Sequence, residues 1–454
     1  MTIMEKPWET LHDLVAETNT EQLLSFLDTL GAAETARTIS RISQEDQILL
    51  FTLLAPADAA ELIEDISDTQ AAYLIEDLPP EKAASILEEL DSDHLVDVLG
   101  EVTEERAEEI LGKMDDEDAR EARQFLEYPR DSAGGIMVSE FLAYAWDKQV
   151  SYILKDLQRN RKAYAEYNVQ YIYVIGDANR LVGVLRMRDL LFSPSDAYLQ
   201  DIMIKNPLRF EGDTPLEKLR EFFDEHKLFG VPVVDGMEQM LGVVLPKAVV
   251  EASGKHSVRQ FLGFNGIIGG EEFRSMPILI RSGRRLSWLS LNIMLNIMAA
   301  SVISMYQDTL SAAIALAVFL PMVSDMSGCS GNQAVAISMR ELSLGLLRPN
   351  ELIRVLAKEA SLGIINGAAL GLLLGGVAYL WKGNAYLGLV VGGGLAVNTV
   401  VAVSLGGMLP LLLKRLKMDP ALVASPILTT VTDMCGFFLV LSFATAVMAK
   451  INGI

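Results

Sequence analysis

From Ala59 onward, the apolar positions of this chain recur with a step of twelve. Ala59, Ala71, Ala83, Leu95 and Ala107 form one series, Leu62, Leu74, Ile86, Val98 and Ile110 a second, and Ile66, Leu78, Leu90, Val102 and Met114 a third. Offsets of about three and four within each unit place the apolar residues on one face of a short helix, and Asp, Ser or Pro-Pro punctuates between units. Such helices find a core only between neighbours, so the pattern predicts an all-α superhelical domain over residues 1–128. The repeated Glu64, Glu76 and Glu88 and the pair Asp93/Asp97 fall on helix faces, where residues four apart are adjacent. Most such acids are solvated; a minority suits a divalent ion shared with another domain.

From about 136 to 260 the pattern changes to short β-branched runs alternating with helices. Val169-Gln-Tyr-Ile-Tyr-Val-Ile, the turn Gly176-Asp-Ala-Asn, Leu181-Val-Gly-Val-Leu and Met187-Arg-Asp-Leu-Leu predict strand, turn, strand and helix. Gly230-Val-Pro-Val-Val-Asp and Leu241-Gly-Val-Val-Leu repeat the arrangement. The two copies resemble a tandem pair of CBS domains, α/β in class, over 129–199 and 200–260. Many such pairs bind adenine nucleotides with an Asp about six residues after the Gly. Gly183 to Asp189, with Arg188 beside it, fits that spacing, whereas Gly242 leads to Ala248. The resemblance implies either a nucleotide at Arg188 and Asp189 or a scaffold alone.

A Gly-rich connector follows (Gly263-Phe-Asn-Gly-Ile-Ile-Gly-Gly-Glu), within a connecting helix expected over 261–283. Residues 284–454 then read as five membrane spans, roughly 286–306, 311–338, 356–380, 385–413 and 421–449. Arg284, Arg285, Arg340, Arg348, Arg354, Lys358, Lys414, Arg415 and Lys417 gather on one side, against Lys382 and Lys450 on the other. The positive-inside rule places the N-terminus in the cytoplasm and the C-terminus outside, in a plasma or inner membrane. Gly363, Gly367, Gly371 and Gly375 form a small-residue stripe suited to close helix packing within one subunit.

Charge sharpens this division. Residues 1–128 hold 33 acids and 8 bases, a net of −25, while residues 282–454 hold 7 acids and 11 bases. An acidic head of this strength repels phosphates and excludes nucleic acid as a partner. Cys329 and Cys435 lie in membrane-like sequence and give neither a disulfide framework nor zinc spacing. The N-terminus has no apolar run of the signal-peptide kind. Neither a nucleophile–His pair nor a phosphate loop is present, so enzymatic chemistry has no support.

Asp433 interrupts the apolar run from Ser425 to Met448. A charge in hydrocarbon costs at least a few kcal/mol, so such residues face a bundle interior or a water-filled path and mark a transport site. Pro426 frees the carbonyl of Leu422 four residues earlier, and Asp433 lies two turns further on. In span two, Pro321-Met-Val-Ser-Asp-Met-Ser-Gly-Cys-Ser-Gly-Asn-Gln-Ala predicts a broken or kinked helix that exposes carbonyl oxygens around Asp325 and Asn332. Asp419 stands at the cytoplasmic mouth. These groups offer oxygen rather than imidazole or thiolate pairs, which favours Mg²⁺, an ion that sheds its water reluctantly.

The acidic head, CBS pair, connector and spans together resemble the MgtE-type magnesium transporters over nearly the whole chain. Tyr128-Pro-Arg-Asp-Ser-Ala-Gly-Gly-Ile-Met, Asp419-Pro-Ala, Pro426 and Asp433 match that family's motifs. The resemblance implies a homodimeric, channel-like path in membrane lipid, lined by spans two and five, with Asp433 of both subunits holding a hydrated ion. Asp419, Asp325 and Asn332 accompany it. Glu61, Asp93, Asp97 and Glu251 are the implied cytosolic Mg²⁺ ligands that clamp the connecting helix. Two departures stand out. The family's Gly-Asn-x-Gly-x-Gln reads Gly328-Cys-Ser-Gly-Asn-Gln, and the acids that end its second CBS copy are replaced by Pro246-Lys-Ala-Val-Val-Glu-Ala-Ser-Gly-Lys-His. Lys247 and Lys255 suit salt bridges to the acidic head instead. Mg²⁺ conduction, conduction of Mn²⁺ or Co²⁺, and a membrane-anchored sensor without transport all remain open at this point.

Overall fold

The computed structural model describes residues 6–448 except 165, 166, 168, 268–271, 273–275 and 417. It divides into two units, one built on Met1–His256 and the other on Ser257–Glu272 and Met276–Ile454.

The first unit opens with α1 (Pro7–Glu17), α2 (Thr20–Leu27), α3 (Ala32–Ile39), α4 (Gln44–Leu53), α5 (Pro56–Glu64), α6 (Asp68–Asp77), α7 (Pro80–Leu87), α8 (Ser92–Leu99), α9 (Glu104–Leu111) and α10 (Asp116–Leu126). From α2 to α10 a helix starts at residues 20, 32, 44, 56, 68, 80, 92, 104 and 116, one every twelve. All three predicted apolar series are buried, and alternate helices pack together, α5 on α7, α6 on α8 and α7 on α9. The period therefore begins three units before the apolar series shows it. Upstream, polar residues fill three of its positions beside apolar ones such as Leu23, Phe26, Leu50 and Leu54: Thr35 and Thr38 are buried, and Gln47 donates to the carbonyls of Ile39 and Ile42 at 2.7 and 3.3 Å.

Side chains also close the helix ends. Asn19, Ser43 and Ser67 cap α2, α4 and α6. Glu76 accepts from the amide of Thr103 at 2.8 Å, and Glu88 from that of Asp115 at 2.7 Å. Two of the repeated acids thus sit at the positive ends of helices three units on, where a carboxylate satisfies an orphan donor and meets the helix dipole. At the opposite ends Lys82 donates to the Leu54 carbonyl at 2.6 Å, and Arg106 reaches that of Leu78.

The rest of this unit comprises β1 (Leu142–Ala145), α11 (Val150–Arg159), β2 (Tyr171–Ile175), β3 (Leu181–Arg186), α12 (Met187–Phe192), α13 (Leu199–Ile202), β4 (Ile204–Lys205), β5 (Phe210–Glu211), α14 (Leu216–Glu225), β6 (Val231–Val234) and β7 (Met240–Val244). Two sheets form, ordered β1-β2-β3-β4 and β5-β6-β7, each with a parallel first pair and an antiparallel second. The two copies exchange edges. β4, from the stretch read as the second copy, pairs with β3, while Val138, ahead of β1, bridges Val243 of β7.

The helix α15 (Pro246–Phe264) leads into the second unit, which holds α16 (Ile278–Met305), α17 (Gln307–Ala312), α18 (Leu316–Ser343), α19 (Leu352–Lys382), α20 (Ala385–Arg415) and α21 (Pro420–Ala446). The connecting helix expected over 261–283 is corrected. The helix α15 stops at Phe264, because Gly266 takes the left-handed φ of +78° and bonds back to Gly263 while Ile267 bonds to Leu262, a glycine C-cap. Residues 268–271 and 273–275 of that stretch lie outside the described residues.

Span two is corrected as well. Four helices, α16, α19, α20 and α21, are long and apolar enough to cross a membrane. The fifth, α18, has 28 residues, about 42 Å at 1.5 Å each, but its Asp, Asn, Gln and Ser residues lower its hydropathy. It also starts at Leu316 rather than 311 and runs unbroken, contrary to the expected interruption. Pro321 falls in its second turn, where it deprives only the Ala317 carbonyl of an amide. Further along, the helices α20 and α21 hold Gly331 in place: a Cβ there would meet the Ala402 carbonyl and Leu428 at 2.9 Å each. Tertiary packing overrides the weak helix propensity of the segment.

The small-residue stripe does what its spacing predicts. Gly367, Gly371 and Gly375 of α19 face the carbonyls of Ala396, Gly392 and Gly388 of α20, at 2.5, 2.5 and 2.7 Å from where a Cβ would stand.

Candidate functional site

In the second unit α18 and α21 bring Ser324 and Asp433 together. Asp433 is half-buried, and the buried Ser324 hydroxyl donates to its Oδ1. The adjacent Asp325 is exposed, as is Cys329 one turn on. Ser327 turns its hydroxyl back to the carbonyls of Val323 and Ser324 at 2.7 and 3.0 Å. Asn332, two turns beyond Ser324, buries an Oδ1 that no described residue satisfies. Asp419 sits apart as the N-cap of α21, accepting from the Ala421 amide at 2.8 Å.

Two polar groups here escaped the sequence reading. Asn398 of α20 is fully buried and donates to Ser327 Oγ at 2.5 Å and to the Thr432 carbonyl at 3.0 Å. Glu359 of α19 packs against Gly407 of α20, with Oε2 buried and unpartnered among the described residues. The available signal was an amide and an acid inside apolar spans.

In the first unit the acids of the implied clamp stand on three helices, α5, α8 and α15. Glu61 is exposed on α5, and Glu251 is exposed and paired to Lys247 of its own helix at 3.6 Å. One turn beyond Glu251, Lys255 places its Nζ 2.7 Å from both Asp97 and Asp68. Burial opposes the charge of Lys255, yet Asp97 and Asp68 outweigh it and hold its pKa well up. Burial raises that of Asp97 against the pull of Lys255. Burial, with Asp91 and Asp97 nearby, pushes Asp93 up to about 6. A further trio, Glu88, Asp115 and Asp118, brings carboxylate oxygens within 4.8 Å of one another, all exposed.

Between the two CBS copies a cleft of about 560 Å³ is lined by Tyr171, Arg186, Arg188, Lys227 and Phe229 among others. Arg188 thus reaches the cleft. Asp189 is held by Arg186 at 2.9 Å and Arg188 at 3.5 Å.

Fold and site together define a multi-pass membrane protein with an acid set among its spanning helices and an appended helical-repeat and CBS unit. Sequence profiles agree: the MgtE divalent cation transporter profile matches residues 320–443, the MgtE intracellular N domain 30–131 and the CBS domain 199–255. The magnesium transporter MgtE of Bacillus subtilis (strain 168) is 30% identical over 323 residues, 71% of this chain and 70% of that one. That of Thermus thermophilus is 30% identical over 334 residues, 73% of each. A crystal structure of the cytosolic domain of the Mg²⁺ channel MgtE in complex with ATP superposes with a TM-score of 0.48 at 27% identity, over 54% of this chain and 99% of that one. The chain belongs to the MgtE family.

Proposed function

We propose that this chain conducts Mg²⁺ passively across the membrane, under control of its N-terminal and CBS unit. The observation that carries the reading is Asp433, an acid held by Ser324 between two helices of the membrane unit. A half-buried carboxylate held by a serine hydroxyl suits a hard cation that keeps much of its water. The membrane potential supplies about 2.3 kcal/mol per charge per 100 mV, doubled for a divalent ion, so no nucleotide hydrolysis is required. In this reading two copies of the chain pair with α18 and α21 along the shared path. The basic loops and the acidic head face the cytoplasm, and the C-terminus lies outside.

Mg²⁺ uptake into proteoliposomes tests this, with wild type beside Asp433→Ala and Asp325→Asn and with Mn²⁺ and Co²⁺ as competitors. Loss of uptake or of discrimination in Asp433→Ala supports it. A wild type that carries no divalent ion sinks it and favours the sensor reading. Preference for Mn²⁺ or Co²⁺ instead assigns Asp325 and Cys329 to selectivity.

Regulation follows the same residues. Lys255 supplies the positive charge that Asp68 and Asp97 need, so closure through this contact does not wait for a divalent ion. The CBS cleft, with Arg186, Arg188 and Lys227 beside aromatic rings, suits an adenine nucleotide: cations for the phosphates, rings for the base. Titration of the full chain with ATP, against Arg188→Ala, tests that assignment.

A further inference from the structure

Asn398 lies directly behind the Ser324–Asp433 pair and grips both helices that form it. Its Nδ2 donates to Ser327 Oγ, one turn from Ser324 on α18, and to the carbonyl of Thr432, the residue before Asp433 on α21. The approach depends on a missing side chain, since a Cβ on Gly436 would stand 2.7 Å from that same nitrogen. The amide is fully buried, and its own Oδ1 finds no donor among the described residues. A buried carbonyl without a donor is costly. A position filled only to pack the bundle has no use for such a group; what the amide offers is two fixed distances.

We infer that Asn398 is a positioning residue for ion selection: it fixes the spacing of α18 and α21, and with it the place of the Asp433 carboxylate. The inference rests on the proposed conduction. Mg²⁺ tolerates little departure from octahedral geometry, whereas Ca²⁺ accepts looser, larger shells. A carboxylate that is free to shift therefore costs Mg²⁺ more than it costs Ca²⁺. Groups that orient an ion's ligands without touching the ion typically change affinity about 10–100-fold when removed.

Two readouts on the full chain test this. In proteoliposomes, Asn398→Leu should raise the apparent KM for Mg²⁺ about tenfold, with a smaller change in maximal rate, and let Ca²⁺ compete more strongly. Ser327→Ala, which removes one of the two grips, should shift KM in the same direction by less. Asn384→Ala, at the N-cap of α20, should lower thermal stability and leave KM alone. The second readout needs no transport. In a chain with Cys329 and Cys435 replaced by serine, Ser324→Cys and Asp433→Cys should cross-link readily, and Asn398→Leu should cut that yield several-fold. Unchanged KM and selectivity in both Asn398→Leu and Ser327→Ala would overturn the inference, as would an unchanged cross-link. If Asn398→Leu does not fold, Ser327→Ala decides. If wild type moves no divalent ion, conduction fails and the cross-link alone judges Asn398.

Discussion

Lys255 and Asp97 meet at 2.7 Å, and the same ammonium lies 2.7 Å from Asp68. A covalently tethered cation thus stands where carboxylates from α6 and α8 converge on α15. We predict that the helical-repeat and CBS unit of the wild-type chain is equally resistant to limited proteolysis with and without millimolar Mg²⁺. Lys255→Ala should be cut faster, and Mg²⁺ should restore its protection, because Asp68 and Asp97 are then left without their cation. Strong Mg²⁺ protection of the wild type would contradict this.

Asp93 predicts a pH dependence. Burial raises its pKa to about 6, so the folded state favours the protonated form. Its stabilising contribution is complete below the ordinary carboxylate value near 4 and is lost as pH rises through about 6. The buried Asp97 is shifted in the same direction. Asp93→Asn should therefore stabilise the unit at pH 7.5, by about 3 kcal/mol at most, and flatten its stability between pH 4 and 6.5. Hydrogen exchange of the α8 amides across that range measures it. Loss of stability at pH 7.5 would count against the assignment.

Thr38 fills a buried position of the twelve-residue repeat and leaves its hydroxyl without a partner among the described residues. Thr38→Val keeps the shape and removes the orphan group. It should stabilise the first unit by about 1 kcal/mol, read as a raised denaturation temperature of the full chain. A destabilised variant would mean that the hydroxyl is satisfied in solution.

The α19–α20 seam makes a prediction with its own control. An added methyl at Gly371 would press on the Gly392 carbonyl, whereas at Gly376, also on α19, nothing lies within 4 Å. Gly371→Ala should lower the thermal stability of the chain in detergent, at a cost of about 1–3 kcal/mol. Gly376→Ala should be neutral or slightly stabilising, since it improves helix propensity. Equal behaviour of the two would contradict the packing described.

The sequence reading went furthest where side-chain chemistry repeated. The series from Ala59 to Met114 was legible because every unit fills its core positions with apolar residues. The earlier units were hidden because Thr35, Thr38 and Gln47 hold the same places, and only packing reveals that polar side chains there are buried or bonded. Asp433 announced itself by charge alone. Its partner Ser324 did not, since a serine in a span has many local uses. Asn398 was invisible for a similar reason: one amide in a run of Val, Gly and Ala gains meaning only when two other helices close on it. The break expected around Pro321 failed because propensity was weighed without Ala402 and Leu428, whose packing on Gly331 holds the helix. At the end of the CBS pair Lys255 bridges to the acidic head as expected while Lys247 pairs with Glu251 of its own helix, and nothing in the sequence told Asp68 from its many acidic neighbours.

The glycine seam bears on how the membrane unit can move. Backbone lies against backbone where Gly371 and Gly375 meet Gly388 and Gly392, so no flexible side chain is present there to yield. The helices α19 and α20 behave as a single stiff keel. Any widening around Asp433 must then come from the lighter pair, α18 and α21, each of which has a proline in its first third, Pro321 and Pro426. Freed carbonyls at those points make bending cheap on the two helices that carry Asp325 and Asp433 and leave the keel still.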